Sequence, residues 1–378
     1  MDLELTPDQV ELRRVAAQVL DRHAPLSLAR GMLEGGGDPA ELWHALGDLG
    51  WYAVGLDEDD PFGVPGLCLL AEQAGRHAAP TLLVDTACAA RAARDGGRGG
   101  VAARVRAGEL TCAFALLEAA GSWDPGAVSA TAAPDGTGSR VSGAKLGVHH
   151  AESADVLAVV AAGEDGPGLH LVERGAAGVS IAPAVGLDAA SAARTVTFDA
   201  ACAEPVGAGP AALEAALAVA AVATAAEGLG AASAAFDLAV AYSLERVQYG
   251  REIGRFQALQ HLMAEMHVLR ETAWSTAFYA AAAIDEELDG RGEAVHVAKA
   301  HAARSARTVA EGAMQVLGGI GFTWEHDHHL LHRRVLECEQ RFGDAAFHER
   351  RIAATLRQRA RSGDEARPAA PATAGRPS

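Results

Sequence analysis

The sequence predicts an α+β fold that is mostly α, with helical segments at both ends of the chain and a β region between them. Apolar residues recur at helical spacing from residue 1 to about residue 108, and again from residue 207 to residue 361. From 109 to 206, short β-type runs alternate with Gly, Pro and Asp turns. An α/β nucleotide-binding fold would alternate strands and helices throughout, and no GxGxxG motif follows a strand. We therefore expect three domains in this order, and neither a Rossmann nor a P-loop enzyme.

The N-terminal domain, expected over 1–108, opens with a pattern that starts a helix. Thr6 can cap the helix, Pro7 suits its first turn, and Gln9 completes a capping box. Glycine runs at 35–37 and 96–100 are expected to separate the helices that follow. This segment is therefore predicted to be helical.

The middle domain is expected over 109–206. The runs at 155–160 and 169–172 are rich in Val and Leu, and the run at 194–199 alternates apolar and polar residues. Such short runs between turn residues are typical of strands. We expect the third run to close a β domain.

The C-terminal domain, expected over 207–361, has the pattern of a helical bundle interrupted near 250–254, 289–292 and 318–321. Its segment 215–236 is nearly uncharged, but Glu227 lies in the middle, which favours a buried bundle helix over a membrane span. Residues 362–378 are rich in Pro, Ala, Gly and Arg and have few large apolar groups. We expect this last stretch to be a disordered tail.

Composition narrows the possible partners. The chain has 32 Lys and Arg against 49 Asp and Glu, a net charge of −17, which would repel nucleic acid and anionic lipid. Its five cysteines are scattered and are expected to be reduced thiols, and the N-terminus lacks the pattern of a signal peptide. We therefore expect a cytoplasmic protein with no nucleic-acid or membrane partner. His328 and His332 lie one helical turn apart, but no carboxylate spacing completes a zinc site, so no metal is expected.

Two motifs resemble the acyl-CoA dehydrogenase family. In residues 246–266, an Arg, an aromatic residue with Gly, and a Gln precede a long helix, as in that family. The stretch at 315–327, with the sequence QVLGGIGFTWEHD and followed by Arg333, is similar to the family's C-terminal flavin-binding signature. The resemblance implies an N-terminal helical domain, a middle β-barrel and a C-terminal four-helix bundle, which agrees with the pattern found along the chain.

The resemblance also implies FAD as the cofactor. The residues that it assigns to FAD binding are Arg246, Tyr249, Gln257, Gln315, Leu317, Gly318 and Gly319. Arg246 would pair with the pyrophosphate, because the planar donors of a guanidinium match phosphate oxygens. Gln257 would hydrogen-bond the cofactor, and the stretch 315–319 would bring backbone close to the adenosine diphosphate part of FAD bound in a neighbouring subunit. The chain is therefore expected to bind FAD between subunits, in self-association or with a paralogous subunit.

The chemistry implied by the family needs a carboxylate base. The base removes an α-proton from an acyl thioester while the β-hydrogen leaves as hydride to flavin N5. The two positions at which the family carries this base are Phe342 and Ala220 here, and neither is a carboxylate. Glu227, two helical turns beyond Ala220, is the remaining candidate. The alternative is that Glu227 is a structural carboxylate, bonded to an Arg or to backbone.

Residues 143–150 also depart from the family, which usually has there a Trp that covers the flavin, followed by Ser or Thr. Two hypotheses follow. In the first, the chain is an acyl-CoA dehydrogenase that uses Glu227 as base, acts on an acyl-CoA or related acyl thioester, and passes electrons to an electron-transfer flavoprotein or similar acceptor. In the second, it is a non-catalytic subunit that lends Arg246 and residues 315–319 to the flavin of an unlike partner. Oxidase or hydroxylase chemistry on the same scaffold is a third possibility.

Overall fold

The structure is a computed structural model of the chain, and it describes residues 3–56, 60–207 and 209–362. The N-terminal helices are α1 (Pro7–His23), α2 (Leu26–Leu33), α3 (Ala40–Asp48), α4 (Gly63–Arg76), α5 (Leu83–Asp95) and α6 (Gly99–Arg106). The capping box predicted at the start of α1 is present: Thr6 Oγ1 accepts from the backbone N–H of Gln9 at 3.2 Å, and Gln9 Oε1 accepts from the N–H of Thr6 at 3.0 Å. The N-terminal segment is thus helical, as predicted.

The middle of the chain forms a β-barrel. Its strands are β1 (Cys112–Ala115), β2 (Thr131–Asp135), β3 (Gly138–His149), β4 (Val156–Gly163), β5 (Gly166–Glu173), β6 (Val179–Pro183) and β7 (Ala193–Pro205). Neighbouring strands pair in the circuit β4, β2, β3, β7, β5 and back to β4, which closes the sheet on itself. Strand β1 adds to β4 in parallel, and β6 adds to β7 antiparallel. Closure leaves few free edges on the ring.

The rest of the chain is a bundle of long helices with a short hairpin at one end. Its elements are α7 (Gly209–Glu245), β8 (Val247–Gln248), β9 (Arg251–Glu252), α8 (Gln257–Asp285), α9 (Arg291–Leu317), α10 (His328–Gln340) and α11 (Ala345–Ser362). Helices α8 and α9 are antiparallel neighbours, and Met266 of α8 lies against Gly312 of α9. The start of α8 and the end of α9 therefore meet at the same end of the bundle. The tail predicted over 362–378 lies outside the described residues apart from Ser362.

Helix α7 is the central helix of the protein and packs against α4, α5, α8, α9 and α10. Alanine, the best helix former, dominates its sequence. By length and composition α7 could cross a membrane, but 83% of its most apolar window is buried inside the protein. It serves as a core helix.

Two glycines let α4 and α7 approach closely. A Cβ on Gly75 of α4 would lie 1.8 Å from the carbonyl oxygen of Glu227, and a Cβ on Gly230 of α7 would lie 1.9 Å from that of Glu72. No side chain fits at either point, because real Cβ atoms do not come within 3 Å of backbone. The contact holds the N-terminal helices firmly against the bundle and fixes the depth of Glu227.

Candidate functional site

The residues that resemble the FAD-binding motifs lie at one end of the bundle. Arg246 follows α7, Gln257 begins α8, and Gln315 lies in the last turn of α9, so the antiparallel packing brings all three to one surface. Arg246, Gln257 and Gln315 are exposed, and Tyr249 at the tip of the hairpin is 93% exposed. Only Leu317 of this predicted set points into the core.

The same surface is open to a ligand at its glycines. An added Cβ would meet no atom within 4 Å at Gly318 or Gly319, and Gly318 has a positive φ of +62°. The guanidinium of Arg246 makes no hydrogen bond or ion pair within the part of the chain that the structure describes. An anionic nucleotide could therefore approach backbone and a free cation together.

Exposed apolar side chains surround these residues. At this end of the bundle they are Leu244, Val247, Ile320, Phe322 and Trp324. Phe322 is 75% exposed, and the ring of Trp324 stacks on His329 with centroids 5.1 Å apart. Large apolar groups clustered in this way are typical of a surface that another protein covers.

Glu227 lies in the interior, between the bundle and the barrel. Its Oε1 accepts a hydrogen bond of 2.8 Å from Nη1 of Arg334 on α10, and its exposed fraction is 7%. Arg334 also donates through Nε to Asp188, which precedes β7, and to the carbonyl oxygens of Ala78 and Ala79. Glu227 is therefore held by a buried cation, which is the alternative role that the sequence left open.

Two further buried pairs lie beside Arg334. His149, the last residue of β3, is 2.8 Å through Nε2 from Oε1 of Glu337 on α10. Burial alone would raise the pKa of Glu337, but the hydrogen bond with His149 and the nearby cations of Arg341 and Arg334 bring it below its usual value. Arg341 in turn donates to Asp85 of α5 at 2.6 Å. Together with the two ion pairs of Arg334, these two contacts connect the barrel and the N-terminal helices to α10 and to Arg341, which follows it.

One of these pairs involves the stretch 143–150, which corresponds to the segment that covers the flavin in the resembling family. His149 of this stretch reaches across to Glu337 on α10. The cavity left between His149, Glu227, Arg334 and Glu337 measures about 10 Å³, room for no more than one water molecule. A three-ring isoalloxazine does not fit in this cavity.

Neither of the two family positions for the base supplies a carboxylate. Ala220 is fully buried on α7. The ring of Phe342 packs between Phe114 and Trp123, with centroid distances of 5.8 and 5.4 Å, and its backbone has a positive φ of +56°. Phe342 therefore closes this position with an aromatic cluster.

The sequence analysis did not identify Arg334, Asp188 or Glu337 as site residues. For Arg334 a signal was present, because Leu331, Arg334 and Cys338 are spaced three and four apart and so share the buried face of α10. A charged residue on such a face needs a buried partner. Nothing local in the sequence pointed to Asp188, which is 146 residues away from Arg334.

Comparisons with known proteins agree with this architecture. Residues 207–357 match the family model described as acyl-CoA dehydrogenase, C-terminal domain. A solved structure of the Tcur3481–Tcur3483 steroid ACAD, a variant, is 32% identical, with a TM-score of 0.86, and the match covers 94% of this chain and 99% of that one. The chain belongs to the acyl-CoA dehydrogenase family. Acyl-CoA dehydrogenation with FAD as the cofactor is the general chemistry of that family.

Other relatives in the family match more locally or only in fold. The ChsE4–ChsE5 complex of Mycobacterium tuberculosis is 23% identical, with a TM-score of 0.84 over 95% of this chain and 99% of that one, and so shares the fold. Acyl-CoA dehydrogenase IpdE2 of Mycolicibacterium smegmatis is 35% identical over 117 residues, which are 31% of this chain and 36% of IpdE2. FadE34 of Mycobacterium tuberculosis is 45% identical over 97 residues, 25% of this chain and 14% of FadE34. The chain thus matches about a third or less of these two curated relatives.

Proposed function

We propose that the chain is a non-catalytic subunit of a heteromeric acyl-CoA dehydrogenase and completes the FAD site of an unlike partner. The observation that carries this proposal is the contrast between two sites. The exposed end of the bundle offers Arg246, Gln257 and the open glycines at 318 and 319 to a nucleotide. The interior of the same chain beside residues 143–150, where the resemblance implies a flavin ring, is filled by the ion pairs of Arg334 and by the contact of His149 with Glu337.

The state of Glu227 argues against the chain acting as the dehydrogenase by itself. A general base must accept a proton from the substrate, whereas this carboxylate is held 2.8 Å from Arg334 with almost no free space around it. The cavity beside it cannot take an acyl thioester. The reaction therefore belongs to a partner that has both an open flavin site and a base.

The partner is an unlike subunit. In an assembly of identical copies, every interior flavin site would be filled, and the surface around Arg246 would meet no flavin nucleotide. A paralogous subunit with an open site supplies the flavin that Arg246 and residues 315–319 would contact. The ChsE4–ChsE5 relative is named as a complex of two proteins, which supports this arrangement.

Within such a complex the substrate is an acyl-CoA or related acyl thioester, and electrons leave through an electron-transfer flavoprotein or a similar acceptor. This chain's contribution is to bind and orient the nucleotide part of FAD. The guanidinium of Arg246 pairs with pyrophosphate, and the exposed apolar residues around it bury against the partner.

The test compares the chain alone with a co-expressed complex. The full chain is purified alone and together with paralogous acyl-CoA dehydrogenase subunits from the same genome, and visible absorbance is recorded after dialysis against excess FAD. We expect no bound flavin in the chain alone, and a yellow complex that an acyl-CoA bleaches. The acyl-CoA panel includes steroid thioesters, because a related structure is named a steroid ACAD.

Two variants test whether Arg246 itself binds FAD or whether the loss of any exposed Arg has the same effect. Arg246→Ala in the complex is expected to weaken FAD binding by roughly tenfold to a hundredfold, because it removes charged hydrogen bonds to the cofactor. Arg304→Ala, at an exposed Arg of α9 paired with Glu349, is the matched control and should leave FAD binding unchanged. A chain that alone retains stoichiometric FAD and is bleached by an acyl-CoA would refute the proposal.

A further inference from the structure

A cavity of about 640 Å³ opens where α1, α4, α7 and α8 meet. On α7 it is lined by Leu229, Ser233 and Asp237. Leu229 is nine residues beyond Ala220, about 13 Å along the helix. Asp237 is nine residues before Arg246, a similar distance. The cavity is therefore separate from the family's base position on α7 and from the FAD motifs.

Two polar side chains deep in this cavity have unused hydrogen-bonding groups. Ser233 is 7% exposed, Gln73 of α4 is 4% exposed, and both line the cavity. Gln73 donates through Nε2 to Oε2 of Glu72 at 3.0 Å, but its Oε1 and the Oγ of Ser233 have no partner among the described residues. Buried polar groups are normally hydrogen-bonded. These two therefore offer an amide and a hydroxyl to a bound molecule.

The free hydroxyl of Ser233 differs from the hydroxyls of the neighbouring helix α8. There, Thr272, Ser275 and Thr276 each donate to a backbone carbonyl oxygen three or four residues earlier. Such a bond is a common arrangement for Ser and Thr inside a helix. Ser233 makes no such bond, so its O–H remains available to donate into the cavity.

Arginines surround the mouth of the cavity with more N–H donors than the nearby carboxylates use. Arg13 donates through Nε and Nη2 to the two oxygens of Glu72, at 2.8 and 2.5 Å. Arg76 donates through Nη2 to Asp237 at 2.6 Å. Within the described chain, Nη1 of Arg13 and both Nε and Nη1 of Arg76 make no hydrogen bond. These free donors favour a ligand that accepts hydrogen bonds.

The charge of the lining also favours an anion. Four arginines and three carboxylates line the cavity, although the chain as a whole has a net charge of −17. Each of these carboxylates already contacts an arginine, as Glu271 does with Arg270 at 3.0 Å. A cationic ligand would have to compete with those arginines, whereas an oxyanion would meet their free N–H groups.

One side of the cavity is apolar. Val10 and Ala17 of α1 lie there with Leu229 and Trp274. The ring of Trp274 stacks on Phe278 with centroids 5.9 Å apart, and the guanidinium of Arg13 lies 5.8 Å from its centroid. An apolar surface thus adjoins a cation, and the volume exceeds what a bare oxyanion needs. Burying an apolar group here would stabilise a bound organic molecule.

We infer that this cavity binds a small organic oxyanion, a molecule with a carboxylate or phosphate group and an apolar part. The oxyanion accepts from Arg13, Arg76 and the hydroxyl of Ser233, and the apolar part lies against Trp274. The inference does not rest on the proposed subunit role and is tested on the full chain without flavin. Its failure would leave that role untouched.

The test compares probes that differ in charge. Isothermal titration calorimetry measures binding of phenylacetate, phenylacetamide and 2-phenylethylamine, which join the same ring to a negative, a neutral and a positive end. Phenyl phosphate is titrated in parallel to show which oxyanion is preferred. We expect at least one oxyanion to bind about tenfold or more tightly than the amide, the range of a charged hydrogen bond, and the amine to bind most weakly.

Variants then locate the preference. Ser233→Ala removes only the hydroxyl and favours the helix, and Arg76→Gln removes the charge but can still donate to Asp237. Each should weaken binding of the preferred oxyanion by about tenfold. Ser243→Ala is the matched control, because Ser243 lies on the same helix outside the cavity and its hydroxyl donates to the carbonyl oxygen of Val240.

The control should bind the oxyanion as the wild type does. Three results would each overturn the inference. They are no detectable binding of either oxyanion, affinities no higher than that of phenylacetamide, and an oxyanion preference that survives both Ser233→Ala and Arg76→Gln.

Discussion

Arg334 lies between two buried carboxylates: its Nη1 is 2.8 Å from Oε1 of Glu227, and its Nε hydrogen-bonds Oδ2 of Asp188. Burial alone would lower the pKa of Arg334, but the two carboxylates raise it above its usual range, so the cation is permanent. One guanidinium thus neutralises a charge from α7 and another from the segment before β7. The arrangement joins the bundle to the barrel.

Removing the Arg334 cation should lower the free energy of unfolding far more than removing the charge of Glu227. Arg334→Met leaves Glu227 and Asp188 buried without a partner, and we expect the free energy of unfolding to fall by about 3–5 kcal/mol. Glu227→Gln keeps an oxygen that can accept from Arg334, which still pairs with Asp188, so the expected loss is about 1 kcal/mol. Urea denaturation of both variants measures the difference. Equal losses would mean that the pairs are not coupled through Arg334.

The sequence predicted the fold well because local residue patterns determine where its helices and strands form. The capping box at Thr6, the Ala-rich α7 and the alternation in β7 each reflect short-range chemistry. The filled site could not be predicted in the same way. Asp85 and Arg341 are 256 residues apart, and His149 and Glu337 are 188 apart, so their pairing depends on how the three parts pack. The sequence shows that the residue at 342 is not a carboxylate. Only the packed structure shows that side chains fill the interior space beside His149.

Restoring a carboxylate at position 342 should not restore dehydrogenation in the chain alone. Phe342→Glu would place a charge in the aromatic cluster with Phe114 and Trp123, at an expected loss of roughly 3–5 kcal/mol in the free energy of unfolding. The variant would still lack room for a flavin ring beside His149. We expect no flavin binding and no acyl-CoA-driven bleaching after incubation with FAD.

Phe342→Leu serves as the control for packing alone. It removes the ring but adds no charge, so it should unfold less readily than Phe342→Glu and also bind no flavin. Bleaching of a flavin bound to Phe342→Glu would show that the interior site can open, and would favour the first of the two functional hypotheses.

Acid should destabilise the protein through its buried histidines, and His328 gives the sharpest case. Burial lowers its pKa to about 4, and the neighbouring histidines at 326, 329 and 332 act in the same direction. In the unfolded chain its pKa returns to about 6.5. Between these values the unfolded state binds more protons, so stability is full above about pH 6.5 and is lost as the pH falls toward 4.

At pH 5 the contribution of His328 corresponds to about 2 kcal/mol of lost stability. His328→Gln can still donate to the carbonyl oxygen of Ala310, which His328 Nε2 contacts at 3.0 Å, but it does not titrate. Urea denaturation at pH 7.5 and pH 5 should therefore show a smaller pH effect in this variant than in the wild type. The same pH effect in both proteins would mean that His328 is protonated in the folded state.

Alanine should strongly destabilise the protein at Gly230 and have almost no effect on its stability at Gly319. Gly230→Ala places a Cβ 1.9 Å from the carbonyl oxygen of Glu72, so α4 and α7 must separate, and we expect a loss of at least about 3 kcal/mol in the free energy of unfolding. Gly319→Ala adds a Cβ that meets nothing within 4 Å and has no positive φ to strain, so stability should change by less than about 0.5 kcal/mol. If Gly319 approaches the nucleotide of a partner's FAD, its variant should instead weaken FAD retention by the complex. Thermal unfolding of the chain alone measures the effect on stability, and FAD retention by the complex measures the effect on cofactor binding. If the Gly319→Ala chain is stable and its complex retains FAD as the wild type does, Gly319 does not contact the nucleotide.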